Sequence, residues 1–173
     1  NLAGAALARR AAGDRACVAG SVGPTSGIPE PLGDMSPKRA HDAFREQMEA
    51  LAEGGVDMLM LESFIILEEL EIAIAAAKTV GLPVAASMAY GPTRRTPFGV
   101  SPDRQVERAR DAGAEIIGAN CGVGPEELYP IMDQFVAADH PLLLAQPNAG
   151  LPRLLAGKTI YPDDTRLAAG LEQ

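Results

Sequence analysis

Basic residues are in the minority in this 173-residue chain: 15 Lys and Arg stand against 23 Asp and Glu, a net charge of −8. Such a chain lacks the basic face that a nucleic-acid backbone requires, and it gains nothing from an anionic membrane surface. Long apolar runs are missing as well. Glu, Lys or Arg interrupts each hydrophobic stretch before it reaches the roughly 18 residues of a membrane span. Cysteine is scarce, and two thiols cannot build a disulfide-dense scaffold. A reducing, cytoplasmic environment is therefore the expectation, and no secretory signal pattern is present. The sequence contains neither G-x-G-x-x-G nor G-x-x-x-x-G-K-[ST], so a nucleotide-phosphate site has no support. It has no C-x-x-C either. The chain opens on Asn1 rather than Met, directly into a helical pattern, and a fragment of a longer protein is expected.

What is present is a regular alternation. Short apolar runs at 16–20, 56–62, 83–89, 115–120 and 141–146 read as strands. They are nearly continuous rather than alternating, as expected of parallel strands covered on both faces. Between them lie helical patterns with start and stop signals. Ser36-Pro37 and Ser101-Pro102 each place an N-cap before a proline suited to the first helical position. Ala40, Phe44, Met48 and Leu51 share one face, as do Leu67, Leu70, Ile74 and Ala77, then Val106 and Ala109, then Leu128, Ile131 and Phe135. Gly54-Gly55, Gly81 and Gly113 end helices, and Pro125 with Glu126 and Glu127 opens one. Residues 2–12 read as a helix, and a further helix is expected near Pro162-Asp163.

A strand recurs roughly every 30 residues, the length of a βαβ unit. The fold class is α/β with a parallel sheet, either doubly wound or part of a (β/α)8 barrel. Polar residues favour the barrel, because they gather at the carboxyl ends of the strands: Ser21, Glu62, Tyr90, Asn120 with Cys121, and Gln146 with Asn148. Convergence of polar groups on one rim from many strands is the barrel pattern. Five strands fall short of eight, so an incomplete (β/α)8 TIM barrel is expected, spanning 1–173 as one domain and lacking the first strands and the last.

On that rim the chemistry concentrates in few residues. Cys121 lies in Gly118-Ala119-Asn120-Cys121-Gly122-Val123-Gly124-Pro125, at a strand end just before a helix, where the positive helix end favours a thiolate. A small buried hydrophobe is the other reading of a free cysteine. Glu62 closes the apolar run Met58-Leu59-Met60-Leu61, and there it is either a partner for a cation or a structural acceptor. Asp57, at the other end of that strand, is expected to be structural. Cys17, at a strand start, is expected to pack as a core residue. The loop from Gly23-Pro24-Thr25 to Asp34 is long and on the active face, where long loops are often functional. Arg94-Arg95 reads either as an anion contact or as a solvated loop tip. His41 and His140 read as surface residues, so neither a Cys–His nucleophile nor a histidine metal site is expected.

Four motifs in register give the sequence a family likeness: Val18-Ala19-Gly20-Ser21-Val22-Gly23-Pro24-Thr25, Gly55-Val56-Asp57 through Leu61-Glu62-Ser63, the segment around Cys121, and Gln146-Pro147-Asn148-Ala149-Gly150-Leu151-Pro152. Gly157-Lys158-Thr159-Ile160-Tyr161-Pro162 extends them. On these residues the chain resembles the homocysteine S-methyltransferase family, which includes the homocysteine-binding domain of cobalamin-dependent methionine synthase and the betaine–homocysteine methyltransferases. The resemblance implies a (β/α)8 barrel with a catalytic zinc held by three cysteines. Cys121 corresponds to the first. The other two form a Gly-Gly-Cys-Cys-Gly motif on the last strand and are expected beyond Gln173. The family's opening strand, with its Asp-Gly segment, is also absent. The implied reaction is attack of the homocysteine thiolate on an activated methyl group. Glu62 would bind the substrate ammonium, Asn120 and Asn148 would shape the pocket, and Ser21 and Thr25 would contact substrate or donor. Methylcobalamin, charged by methyltetrahydrofolate on a separate corrinoid module, is the first expectation for the methyl donor; S-methylmethionine and betaine are the alternatives. The partners implied are homocysteine and that donor, with no nucleic acid and no membrane.

Two other classes compete. A metal-free barrel lyase or aldolase would use Glu62, but Lys78 falls in a helix and Lys158 in a late loop, so no strand-end lysine is available for a Schiff base. A non-catalytic binding module would leave Cys121 silent, and a downstream Gly-Gly-Cys-Cys separates it from the zinc enzyme.

Overall fold

The computed structural model describes residues 1–25, 27–31, 33–150 and 153–160. The helix expected near Pro162-Asp163 and the Leu151-Pro152 end of the fourth motif lie outside them. Five parallel strands form one sheet: β1 (Ala19–Val22), β2 (Met58–Phe64), β3 (Val84–Met88), β4 (Ile116–Asn120) and β5 (Leu143–Gln146). The helices are α1 (Leu2–Ala12), α2 (Pro37–Glu53), α3 (Leu67–Val80), α4 (Pro102–Ala112) and α5 (Pro125–Ala137). Two short antiparallel strands, β6 (Arg153–Leu155) and β7 (Lys158–Ile160), form a separate hairpin, so Lys158 sits in a strand where the sequence suggested a loop.

Strand order decides between the two candidate architectures. A doubly wound sheet reverses its order at a switch point. Here the order is β1-β2-β3-β4-β5, every crossover leads to the adjacent strand, and each helix from α1 to α5 packs on the next. This is a singly wound arc of consecutive β/α units, the wall of a (β/α)8 barrel.

The local causes are those the sequence announces. The Ser36 side chain accepts a hydrogen bond from the Arg39 amide at the start of α2, and Pro37 takes the first helical position. Gly81 and Gly113 end α3 and α4 in the left-handed conformation. Ser101 does not cap α4 in the same way; its hydroxyl goes to Asp103, whose carboxyl it holds below the usual range. Leu59, Leu61, Val84, Ala86, Met88, Ile117 and Ala119 project from the sheet toward the helices. There they form one core with Phe44, Met48, Leu70, Ile74, Val106, Ile131 and Phe135. The pairing register places Ser21, Met60, Ala85 and Ile116 in line on the opposite face.

Three expectations need correction. Strand β1 begins at Ala19 rather than residue 16, because the Val18 amide is taken by the Asp57 carboxylate, 2.6 Å away. Cys17 therefore precedes the strand and is exposed instead of packed. Tyr90 is a core residue rather than a rim group: 1% exposed, it donates its hydroxyl to Gln105 Oε1 at 2.7 Å and meets Phe135 edge to face at 6.0 Å. Gln105 Nε2 in turn donates to the carbonyls of Ala86 and Gly118, at 3.0 and 2.9 Å. Burial pushes the Tyr90 phenol pKa up, so it stays a neutral donor.

Two measurements test this account. A Cβ on Gly118 would stand 1.9 Å from the Leu144 carbonyl oxygen, backbone that cannot step aside without loosening β4 from β5. Gly118→Ala should cost about 3 kcal/mol or more in a urea melt, at the upper end of overpacking effects. The amide of Val18 first, and then Arg9, hold the Asp57 carboxyl below its ordinary value of 3.8. A depressed carboxyl contributes stability that is present above the ordinary value and lost as pH falls through the lowered one. The stability difference between wild type and Asp57→Asn should thus be full above about pH 5 and shrink under more acid conditions.

Candidate active site

The carboxyl ends of β1, β2 and β4 carry the site, and a bulge in β2 shapes it. Leu61 pairs with Ala86 and Phe64 with Met88, so Glu62 and Ser63 together face the single residue Ser87. One extra residue therefore enters β2 at the rim, the kind of irregularity that re-aims side chains next to active sites. Strand β2 accordingly runs two residues past Glu62, to Phe64. Ser63 takes up the distortion with φ 65°, a left-handed conformation that costs a residue with a Cβ about 1–2 kcal/mol.

The bulge sends its two side chains to different neighbours. Glu62 is half-buried and accepts a short hydrogen bond from the Ser21 hydroxyl on β1. Ser63 turns the other way, to β4. Its amide donates to Asn120 Oδ1 at 2.8 Å, and its hydroxyl, 3.7 Å from Cys121 Sγ, is placed to donate to the sulfur.

Asn120 organises this second half. It is 2% exposed, and the hydroxyl of fully buried Ser87 donates to its Oδ1 at 2.6 Å. Its Nδ2 donates to Ser63 Oγ at 2.9 Å and to Cys121 Sγ at 3.2 Å. With the Ser63 amide, these bonds use both acceptor and both donor positions of the amide. Asn120 therefore has no position left for a further hydrogen bond, and its contacts on the rim run to Ser63 and Cys121.

Cys121 reaches the rim by a backbone reversal. Cys121 and Gly122 have φ 57° and 72°. The Cys121 amide donates to the Gln146 carbonyl at 3.0 Å, holding the turn to β5. Gly122 lies so close to the end of β3 that a Cβ would stand 2.0 Å from the Tyr90 carbonyl oxygen. The thiol of Cys121 is exposed. The Ser63 hydroxyl and the Asn120 Nδ2 both approach its sulfur, at 3.7 and 3.2 Å. Asn148 joins this turn through its backbone, donating its amide to the Val123 carbonyl at 3.0 Å.

Thr25 is occupied elsewhere. Its amide and hydroxyl both donate to Glu69 Oε1, at 2.8 and 2.7 Å, and Glu69 is a buried carboxylate in the first turn of α3. The pair anchors the start of the long loop after β1. Arg94 is exposed, while Arg95 donates to the Gly99 carbonyl at 3.0 Å within its own loop. The sequence pattern singles out Ser21, Glu62, Asn120 and Cys121, and the structure brings them to one rim. It does not single out Ser63, Ser87 or Glu69. Ser87 carries a signal: a hydroxyl inside the apolar run Ala85-Ala86-Ser87-Met88 must find a buried partner. Ser63 and Glu69 carry none, because a bulge and a helix-start glutamate look ordinary in sequence.

Comparison with known proteins bears on the family and the fold. The family model described as Homocysteine S-methyltransferase matches residues 1–172. A betaine–homocysteine S-methyltransferase 1 of Sus scrofa is 39% identical over 127 residues, covering 72% of this chain and 44% of the relative. That of Danio rerio is 36% identical over 126 residues, covering 72% and 30%. An S-methylmethionine–homocysteine S-methyltransferase of Rattus norvegicus is 40% identical over 87 residues, covering 50% and 24%. The chain thus spans less than half the length of these relatives. Among solved structures, the apo form of the homocysteine methyltransferase MmuM from Escherichia coli superposes with a TM-score of 0.66 at 22% identity, over 86% of this chain and 54% of that one. The carboxyl transferase domain of Rhizobium etli pyruvate carboxylase gives 0.59 at 14% identity, over 82% and 25%. At such identities these likenesses concern the fold alone.

The Thr25–Glu69 anchor can be tested by proteolysis. Thr25→Val removes one hydrogen bond to a buried carboxylate, worth about 1.5–3 kcal/mol. Cleavage between residues 25 and 35 should rise roughly tenfold or more, with the far-ultraviolet circular dichroism unchanged.

Proposed function

The chain belongs to the homocysteine S-methyltransferase family, and on that premise we propose that the whole protein transfers a methyl group to the sulfur of homocysteine, forming methionine. The observation that carries the reading is a carboxylate and a thiol brought to one rim, the two poles of the site. The Glu62 carboxylate suits the substrate's ammonium, and the Cys121 thiol suits a ligand of the zinc that would hold the substrate's sulfur. Ser21 orients Glu62; Ser63 and Asn120 orient Cys121. Thr25 contributes indirectly, by fixing the loop after β1, and Asn148 by bracing the turn that presents Cys121.

Zinc is part of this proposal. Cys121 is exposed, and the hydrogen-bond donors that approach its sulfur suit a single thiolate ligand. Among the described residues no group of three or more His, Cys, Asp or Glu side chains could hold a metal. As the family resemblance implies, Cys121 would be one of three cysteine ligands, the other two expected beyond Gln173. Zinc bound there would keep the homocysteine sulfur as a thiolate at neutral pH. The residues of this chain bind the ammonium, orient the two poles and leave the thiol side open for substrate and donor.

For the donor we favour a small onium compound, betaine or S-methylmethionine, over the methylcobalamin suggested by the Gly-Pro-Thr and Pro-Asn-Ala-Gly stretches. The support is that the relatives described above carry those two names. A cytoplasmic location belongs to the same proposal and rests on the cysteine-poor, acidic composition. No helix among the described residues is long and apolar enough to cross a membrane.

In the full-length protein, Glu62→Gln should weaken homocysteine binding by roughly 30-fold or more, as expected when a buried charge loses its partner, with zinc content unchanged. Binding of 4-mercaptobutyrate, which has no ammonium, should change far less. Equal losses for both thiols in titration calorimetry would remove the ammonium role from Glu62. Cys121→Ser should lose most of the zinc and all methyl transfer, since a neutral hydroxyl is a poor substitute for a soft thiolate.

A further inference from the structure

Three of the four hydrogen bonds of the Asn120 amide run to Ser63 and Cys121, beside the two poles of the site. Ser63 is covalently next to Glu62, and both its amide and its hydroxyl are bonded to the Asn120 side chain, at 2.8 and 2.9 Å. The same side chain holds Cys121 Sγ at 3.2 Å, and Ser87 locks it from behind at 2.6 Å. The backbone beside Glu62 and the Cys121 sulfur are thus joined by one partly buried bridge through Ser63 and Asn120, while the Glu62 carboxylate itself is held by Ser21. The extra residue of the β2 bulge lies within this bridge, and Ser63 bears the left-handed backbone that the bulge requires. Such a linkage restrains the rim that carries the two poles.

Building on the reading of Glu62 as the ammonium partner, we propose that Ser63 and Asn120 are specificity-determining positioning residues that set the length of the amino-thiol accepted. The two poles of homocysteine are one methylene farther apart than those of cysteine. A rigid spacing satisfies both poles of the longer substrate, whereas the shorter one leaves either the ammonium or the sulfur unmatched. A loosened bridge lets Glu62 and Cys121 approach a shorter ligand, so discrimination falls even where homocysteine still binds.

Two variants test this without removing either pole. Ser63→Gly suits the left-handed backbone and deletes the hydroxymethyl side chain while keeping the amide bond to Asn120, and Ser87→Ala deletes the lock on Asn120 without altering Glu62 or Cys121. The measurement is the ratio of dissociation constants for cysteine and homocysteine in the full-length, zinc-loaded protein. One methylene is worth roughly 10- to 200-fold in a well-fitted site, and each variant should cut that ratio at least about fivefold, with zinc content close to wild type and the far-ultraviolet circular dichroism unchanged. A ratio unchanged in both variants, or equal weakening of both thiols, overturns the proposal. Glu62→Gln, measured in parallel with 4-mercaptobutyrate, decides the ammonium assignment separately. Its selective effect on homocysteine together with an unchanged ratio in the Ser63 and Ser87 variants would leave that assignment standing and remove the spacing role.

Discussion

The site depends on one buried side-chain amide. Asn120 lies at the end of β4, 2% exposed, and its four hydrogen bonds reach β2, β3 and the turn that carries Cys121. A buried amide is tolerated only when it is fully bonded, and once fully bonded it specifies a single arrangement of its neighbours. The left-handed backbone at Ser63 and at Cys121 persists in the same setting: strain at a functional site survives where the surroundings over-determine it. Tertiary structure beneath the amide is equally committed. Gly118, two residues earlier in β4, lets β5 approach, and Gln105 ties its carbonyl to that of Ala86.

Much of this was legible from the sequence. Continuous apolar runs and proline-marked helix starts gave the α/β class, and polar residues at strand ends pointed to the rim on which Glu62, Asn120 and Cys121 now stand. The misses have physical causes. The start of β1 moved because a side chain, Asp57, takes the hydrogen bond that a ladder would have used at Val18. Tyr90 followed the pattern of a strand-end polar residue but has a partner inside, Gln105, which nothing local reveals. The bulge in β2 was invisible because Glu62-Ser63-Phe64 has the composition of an ordinary strand end. Register is a property of two strands, and one strand's sequence does not contain it.

The buried charge of Glu69 shows how a loop is made part of the scaffold. The loop after β1 would be the least constrained part of the rim. A carboxylate near the positive end of α3 accepts both donors of Thr25 and draws the loop's first residues onto a helix two elements away. The start of that loop is therefore tied to the packing of α3.

The helix-facing core and the rim occupy opposite sides of the same strands. Leu59 and Leu61 serve the one, while Ser21, Glu62 and Ser63 serve the other. The residues that would choose a substrate are therefore largely separate from those that hold the fold, and changes in the two groups should combine additively. Asn120 and Ser87, both buried beneath the rim, belong to both. A lineage that altered Ser21, Glu62 or Ser63 could explore new thiols at little cost in stability. One that altered Asn120 would put fold and chemistry at risk together. This asymmetry makes the amide the fixed point around which acceptor preference can drift.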